Sequence, residues 1–168
     1  LVGGYNFHNI AAALAVGTYF NRSPLQLKKG IEAYISVNNR SQIISKNSNE
    51  ILLDAYNANP SSMEVALENF KEIKNQNKLA ILGDMFELGT TSSKEHLELV
   101  NQAILTKGCR FYFVGAQFFE HQKTHPNLLF FKTFHDLQLY LEHTTISRTS
   151  ILIKGSRGMA LGRVLELI

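Results

Sequence analysis

A recurring unit constrains this chain more than any other feature: a short, continuously apolar run, a polar or glycine stop, then residues at helical spacing. Ile51-Leu52-Leu53 stops at Asp54, Leu79-Ala80-Ile81-Leu82 at Gly83-Asp84, and Phe111-Tyr112-Phe113-Val114 at Gly115. Leu128-Leu129-Phe130-Phe131 is a further run, and Ile151-Leu152-Ile153 stops at Lys154-Gly155-Ser156-Arg157. Runs without polar alternation predict strands buried on both faces, the pattern of a parallel sheet. Between them lie amphipathic segments: Met63, Leu67, Phe70 and Ile73, then Leu97, Val100 and Ile104, then a segment from Phe134 to Leu141. A final helix is expected to carry Leu161, Leu165 and Ile168. The expected fold is α/β: a doubly wound, mostly parallel sheet with helices on both faces and right-handed crossovers. Gln42-Ile43-Ile44 and Ile51-Leu52-Leu53 flank Lys46-Asn47-Ser48-Asn49, which predicts a hairpin at the start of the sheet.

Before this pattern the chain reads differently. Ile10-Ala11-Ala12-Ala13-Leu14-Ala15-Val16 predicts a helix apolar almost all round, which should be buried on most sides. Ser23-Pro24-Leu25-Gln26 is a capping box ahead of Leu27, Ile31 and Ile35 at helical spacing. Val37-Asn38-Asn39-Arg40-Ser41 is polar and reads as a linker. The boundary is therefore expected between residues 1–38, an incomplete helical pair, and residues 39–168, a self-sufficient domain. The opening Leu1-Val2-Gly3-Gly4-Tyr5 has no initiating methionine and no signal-peptide character, so a piece of a longer protein is expected.

Composition excludes several classes. A net charge of +3, without a dense basic run carrying interleaved aromatics, points away from nucleic acid. No stretch is long and apolar enough to span a membrane. Cys109 is the only cysteine, so no internal disulfide can form and a reducing, cytoplasmic setting is expected. There is no G-x-G-x-x-G, no G-x-x-x-x-G-K-[ST], no G-x-S-x-G and no C-x-x-C. The missing dinucleotide fingerprint counts against a small dehydrogenase.

Chemistry is expected where parallel strands end along one edge. Asp54 can accept two hydroxyls, as a ribose offers, or it can order a turn. Asn59 suits a helix N-cap, with Pro60 at the first helical position. Lys154 and Arg157 flank Gly155-Ser156 before an expected helix N-terminus, a good setting for a carboxylate or phosphate. Asp84-Met85-Phe86-Glu87 offers two carboxylates, with no histidine at ligand spacing, and a loop-ordering role is favoured over a metal. His8, His96, His121, His125, His135 and His143 are expected in packing or at the surface. These readings leave open an enzyme domain or a stand-alone nucleotide- or anion-binding module that regulates a partner.

Several motifs, taken in order, resemble those of the Mur ligases: Tyr5 to Ala13, Asn39-Arg40-Ser41-Gln42, Asp54 to Met63, Gly83 to Gly89 and Lys154 to Arg157. The member they are most similar to adds D-Ala-D-Ala to UDP-N-acetylmuramoyl-tripeptide through an acyl phosphate in peptidoglycan precursor synthesis. The resemblance implies that residues 1–38 are the helical tail of the central ATP-binding domain and residues 39–168 the C-terminal Rossmann-like domain. It implies ATP and Mg²⁺ in the full-length enzyme, with neither bound to this piece alone, and a monomeric full-length protein. By position, it implies nucleotide contacts from Asn9, Arg40, Asp54, Tyr56 and Asn59. Lys154, Ser156 and Arg157 would lie near the incoming dipeptide or the transferring phosphate; the dipeptide carboxylate is chosen on their cationic chemistry. No metal ligand and no complete catalytic set are expected among these residues. One departure is Gly162, where the family usually has glutamate; glycine there should weaken a helix by about 1 kcal/mol relative to alanine.

Overall fold

The computed structural model describes residues 6–36 and 39–168. The opening Leu1 to Tyr5, and Val37-Asn38 of the linker with the boundary set there, lie outside the described residues. The predicted hairpin is present: β1 (Gln42–Lys46) pairs antiparallel with β2 (Asn49–Asp54), with Asn47 in a left-handed turn at φ 54°. Then follow α3 (Pro60–Lys71), β3 (Lys78–Gly83), α4 (Ser92–Leu105), β4 (Cys109–Val114) and α5 (Ala116–Phe119). The alternation ends with β5 (Leu128–Phe131), α6 (Phe134–Glu142) and β6 (Ser150–Lys154). The six strands form one sheet in the order β1-β2-β6-β3-β4-β5, parallel throughout except for β1.

Strand side chains alternate between two cores, as a period of two requires. Leu52, Leu82, Phe113 and Leu152 face α3 and α4 through Met63, Leu67, Phe70, Leu99 and Val100. Ile51, Ile81, Tyr112 and Ile153 face the other way, onto Leu137 and Leu141 of α6 and onto Leu161 and Val164. Both faces of the sheet are covered, which is why the strand sequences carry no polar alternation. Cys109 is buried, and burial pushes its thiol up to about 11.

Helix α3 starts as its sequence demands. Asn59 accepts from the Ser62 N–H at 2.9 Å, the Ser62 hydroxyl returns to the Asn59 N–H at 3.1 Å, and Pro60 occupies the first turn. Asn59→Ala should cost about 1 kcal/mol, the usual loss for an N-cap side chain. A chemical denaturation midpoint indistinguishable from that of the parent would contradict this.

Two elements depart from expectation. The final helix is not an α-helix: Arg157–Met159 and Leu161–Glu166 form 3-10 turns, separated by Ala160 in the left-handed region at φ 48°. A 3-10 period of three pairs Leu161 with Val164 as the buried residues, in place of the expected Leu161 and Leu165. The other departure is α1 (Asn6–Tyr19), expected to be buried on most sides. Among its described residues only Asn6 is buried, while Phe7 and Val16 are 68% and 58% exposed. It meets α2 (Pro24–Glu32), whose capping box at Ser23 and Gln26 forms as predicted. The pair is too small to cover two apolar faces.

Candidate functional site

The C-terminal ends of β2 and β6 lie side by side, with Asp54 in register with Lys154. After β2 the chain leaves for the α3 face of the sheet, and after β6 for the α6 face. Connections that diverge from neighbouring strands open a crevice at the carboxyl edge. Here it is a cleft of about 820 Å³. That volume falls within the range of about 300–1,000 Å³ typical of small-molecule sites. Its two walls differ. Helices α1 and α2 contribute Ile10, Ala13, Leu14, Leu27 and Ile31, and the sheet edge contributes Arg40, Ser41, Asp54, Tyr56 and Lys154.

The polar wall is tightly ordered. The Lys154 ammonium donates to Asp54 Oδ2 at 2.6 Å and to the Asn57 carbonyl at 3.2 Å. Asp54 Oδ1 accepts from the Ser41 N–H at 3.1 Å. The Lys154 side chain is 3% exposed and that of Asp54 is 19% exposed, so the pair is shielded from water on the lysine side and open on the carboxylate side. Ser41 reaches Asp54 because the chain turns sharply there, with Asn39 and Ser41 both at positive φ. The Tyr56 N–H fixes the same segment by donating to the Asn39 carbonyl. The Arg40 guanidinium lies 3.7 Å from the centre of the Tyr56 ring, and that of Arg157 lies 5.6 Å from it. The hydrogen bond and charge of Arg40, then the charge of Arg157, hold the Tyr56 phenol below its usual range.

Of the residues singled out from sequence, Asn9, Arg40, Asp54, Tyr56 and Lys154 come together around this cleft. Asn9 faces it from α1 and donates to Asn6 Oδ1 at 3.3 Å. Asn59 is not among the lining residues; its side-chain oxygen is occupied by the α3 cap, and Asn57 and Ser62 line the cleft instead. Ser156 is buried, and its hydroxyl accepts the Phe86 N–H at 2.7 Å. Arg157 stands exposed on a three-residue 3-10 turn, so the expected helix N-terminus after Lys154 is absent and no helix dipole acts there. Gly162 lies against the linker segment: a Cβ added to it would stand 3.2 Å from Asn39 Nδ2.

Next to the cleft, Gly83, Asp84 and Met85 are buried, and the chain emerges at Phe86 and Glu87. Asp84 accepts the Gln117 and Phe118 N–H groups, one on each carboxylate oxygen, both at 3.0 Å. His96, 0% exposed, accepts the Met85 N–H on Nε2 at 3.0 Å. Its Nδ1 lies 2.7 Å from the Ser92 carbonyl, so the ring carries its hydrogen on Nδ1. Loop ordering is therefore what Asp84 does. Among the described residues no three His, Cys, Asp or Glu side chains converge, and both Asp84 oxygens already serve α5. Sequence alone did not reveal Ser41 and Asn57 as partners of the Asp54–Lys154 pair, because both act through backbone atoms. His96 carried only its helical spacing from Leu99, Val100 and Ala103 as a signal.

Comparison with known proteins agrees with this architecture. The family model "Mur ligase, glutamate ligase domain" matches residues 39–157. The UDP-N-acetylmuramoyl-tripeptide–D-alanyl-D-alanine ligase of Rickettsia prowazekii is 38% identical over 131 residues, covering 76% of this chain and 29% of that protein. The ligase of the same name from Bacillus subtilis is 28% identical, over 99% of this chain and 38% of that protein. A crystal structure of MurF from Acinetobacter baumannii superposes with a TM-score of 0.84 at 28% identity, covering 97% of this chain and 38% of that one. The chain thus spans about a third of the length of the curated relatives it matches. One family model over most of the residues, and a shared fold across nearly all of them, place this chain in the Mur ligase family.

Proposed function

We propose that this chain is the C-terminal part of an ATP-dependent amide ligase that joins D-Ala-D-Ala to UDP-N-acetylmuramoyl-tripeptide during cytoplasmic synthesis of peptidoglycan precursors. In that reaction ATP phosphorylates the tripeptide carboxylate, the dipeptide amine attacks the acyl phosphate, and phosphate leaves. Residues 39–168 form the closing domain, and residues 1–38 belong with the ATP-binding domain. The exposed apolar side chains of α1, Phe7 and Val16 among them, support that division, because such a face is stable only when covered. The complete enzyme works as a monomer. In the complete enzyme ATP supplies the transferred phosphoryl group, and Mg²⁺ would accompany it.

The observation that carries this reading is the two-sided cleft. An apolar wall faces a fixed carboxylate and an arginine-capped tyrosine. That arrangement suits a nucleoside: apolar side chains take the base, and Asp54 accepts ribose hydroxyls. Arg40 and Arg157 are exposed cations beside Tyr56, chemically suited to anionic groups such as the phosphates and the dipeptide carboxylate.

The test is ATP-dependent phosphate release by the full-length enzyme with both substrates present. Asp54→Ala should raise the ATP KM roughly 10- to 100-fold, as expected when a charged hydrogen-bond acceptor worth about 1.5–3 kcal/mol is lost. The KM for the dipeptide should stay near its parent value. An unchanged ATP KM in a folded variant would remove Asp54 from the nucleotide site.

A further inference from the structure

Lys154 invites assignment as an anion ligand, since it is a cation at a strand end beside the cleft. Its surroundings say otherwise. It is 2% exposed, at the end of a central strand. Two of its three N–H groups are engaged, one with Asp54 and one with the Asn57 carbonyl. To reach a phosphate or carboxylate in the cleft, the ammonium would have to abandon a 2.6 Å ion pair and leave Asp54 without it. Breaking a shielded pair from one side is costly, because the remaining charge is uncompensated.

The same geometry accounts for what Lys154 does achieve. An aspartate at a strand end is free to turn about its side-chain bonds unless something fixes it. Here Lys154 takes Oδ2 and the Ser41 N–H takes Oδ1, so the carboxylate plane is set from two sides. Each carboxylate oxygen can accept about two hydrogen bonds. One on each therefore remains for a ligand, and the 19% exposure of the Asp54 side chain shows that the carboxylate is accessible. Through the Asn57 carbonyl, Lys154 also ties down the loop that carries Tyr56.

We propose that Lys154 is a positioning residue for the nucleotide, acting through Asp54 and the 54–58 loop, and that it is not a ligand of the dipeptide or the transferred phosphate. This rests on the nucleotide reading of Asp54 given above. The discriminating experiment is a double-mutant cycle in the full-length ligase, with KM measured separately for ATP and D-Ala-D-Ala. Lys154→Met should raise the ATP KM about ten-fold while the D-Ala-D-Ala KM stays within about two-fold of the parent. In an Asp54→Ala background, adding Lys154→Met should change the ATP KM by less than about two-fold, because the route through Asp54 is already gone. A raised D-Ala-D-Ala KM, or effects on the ATP KM that multiply across the two sites, would overturn the proposal. If Lys154→Met alone fails to fold, the same comparison is made between Asp54→Asn, whose amide oxygen can still accept from the Lys154 ammonium, and Asp54→Asn with Lys154→Met, which carries neither charge. Equal ATP KM values support positioning, and a further rise rejects it. If both Asp54 variants keep the parent ATP KM, the nucleotide reading itself falls, a result distinct from a failure of Lys154 alone.

Discussion

Gly115→Ala should lower stability by about 3 kcal/mol or more, by combining backbone strain with a steric conflict. Gly115 follows β4 at φ 128° and ψ 163°, a region that only glycine enters without strain. A Cβ there would stand 2.2 Å from Asp84 Cγ. Asp84 cannot give way cheaply, because its oxygens hold the Gln117 and Phe118 N–H groups at the start of α5 and its carbonyl accepts the Ser156 N–H. For a chain of this size a loss of about 3 kcal/mol lowers the melting midpoint by roughly 6–12 °C. A thermal melt within about 2 °C of the parent would show that the β4–α5 turn can move to admit a methyl group.

Asp84→Asn should lose about 2–4 kcal/mol despite being nearly isosteric. A carboxylate offers two acceptors to two N–H groups. An asparagine amide offers one acceptor and points an NH₂ at the other, in either flip. One buried donor is then opposed by a donor. Asp84→Ala should cost a similar amount, with both N–H groups unpaired. The two sites are also coupled. Once Asp84 is alanine, the atoms that collide with a Cβ at residue 115 are gone. The double variant Asp84→Ala, Gly115→Ala should therefore be less destabilised than the sum of its parts. Strict additivity in denaturant titrations would mean that backbone strain alone, and not contact with Asp84, makes Gly115 necessary.

The sheet was legible in the sequence because continuous apolar runs such as Leu79 to Leu82 occur where both faces are covered. The α3 start was legible because Asn59-Pro60 specifies its own local geometry. Strand order was not legible: nothing in residues 150–154 says that this run inserts between β2 and β3, since that depends on which edges remain unpaired. The site was half legible for the same reason. Asp54 and Lys154 stand out as strand-end residues, but their pairing follows from adjacency of strands about a hundred residues apart. Ser156 and Arg157 were grouped with Lys154 by sequence proximity. The strand exit separates them, turning Ser156 inward to Phe86 and Arg157 outward to Tyr56. The last helix was misread because Leu161, Leu165 and Ile168 satisfy an α-helical spacing as well as Leu161 and Val164 satisfy a 3-10 one.

The place of β6 in the sheet also bears on the order in which the domain can be assembled. It is the last strand of this chain, yet it bonds to β2 on one side and to β3 on the other. Until residues 150–154 dock, the β1-β2 hairpin and the β3-β4-β5 block have no ladder between them, so the sheet exists as two separate halves. Closing them requires a contact of long sequence separation, the kind that slows folding. During synthesis the facing edges of β2 and β3 would stay unpaired until residues 150–154 had emerged, the interval in which such edges are open to wrong partners. Asp54 belongs to one half and Asp84 to the other, and Lys154 arrives with the strand that joins them. The carboxylate at the cleft acquires its ammonium partner only when the sheet is whole, so a partly folded chain carries no finished site.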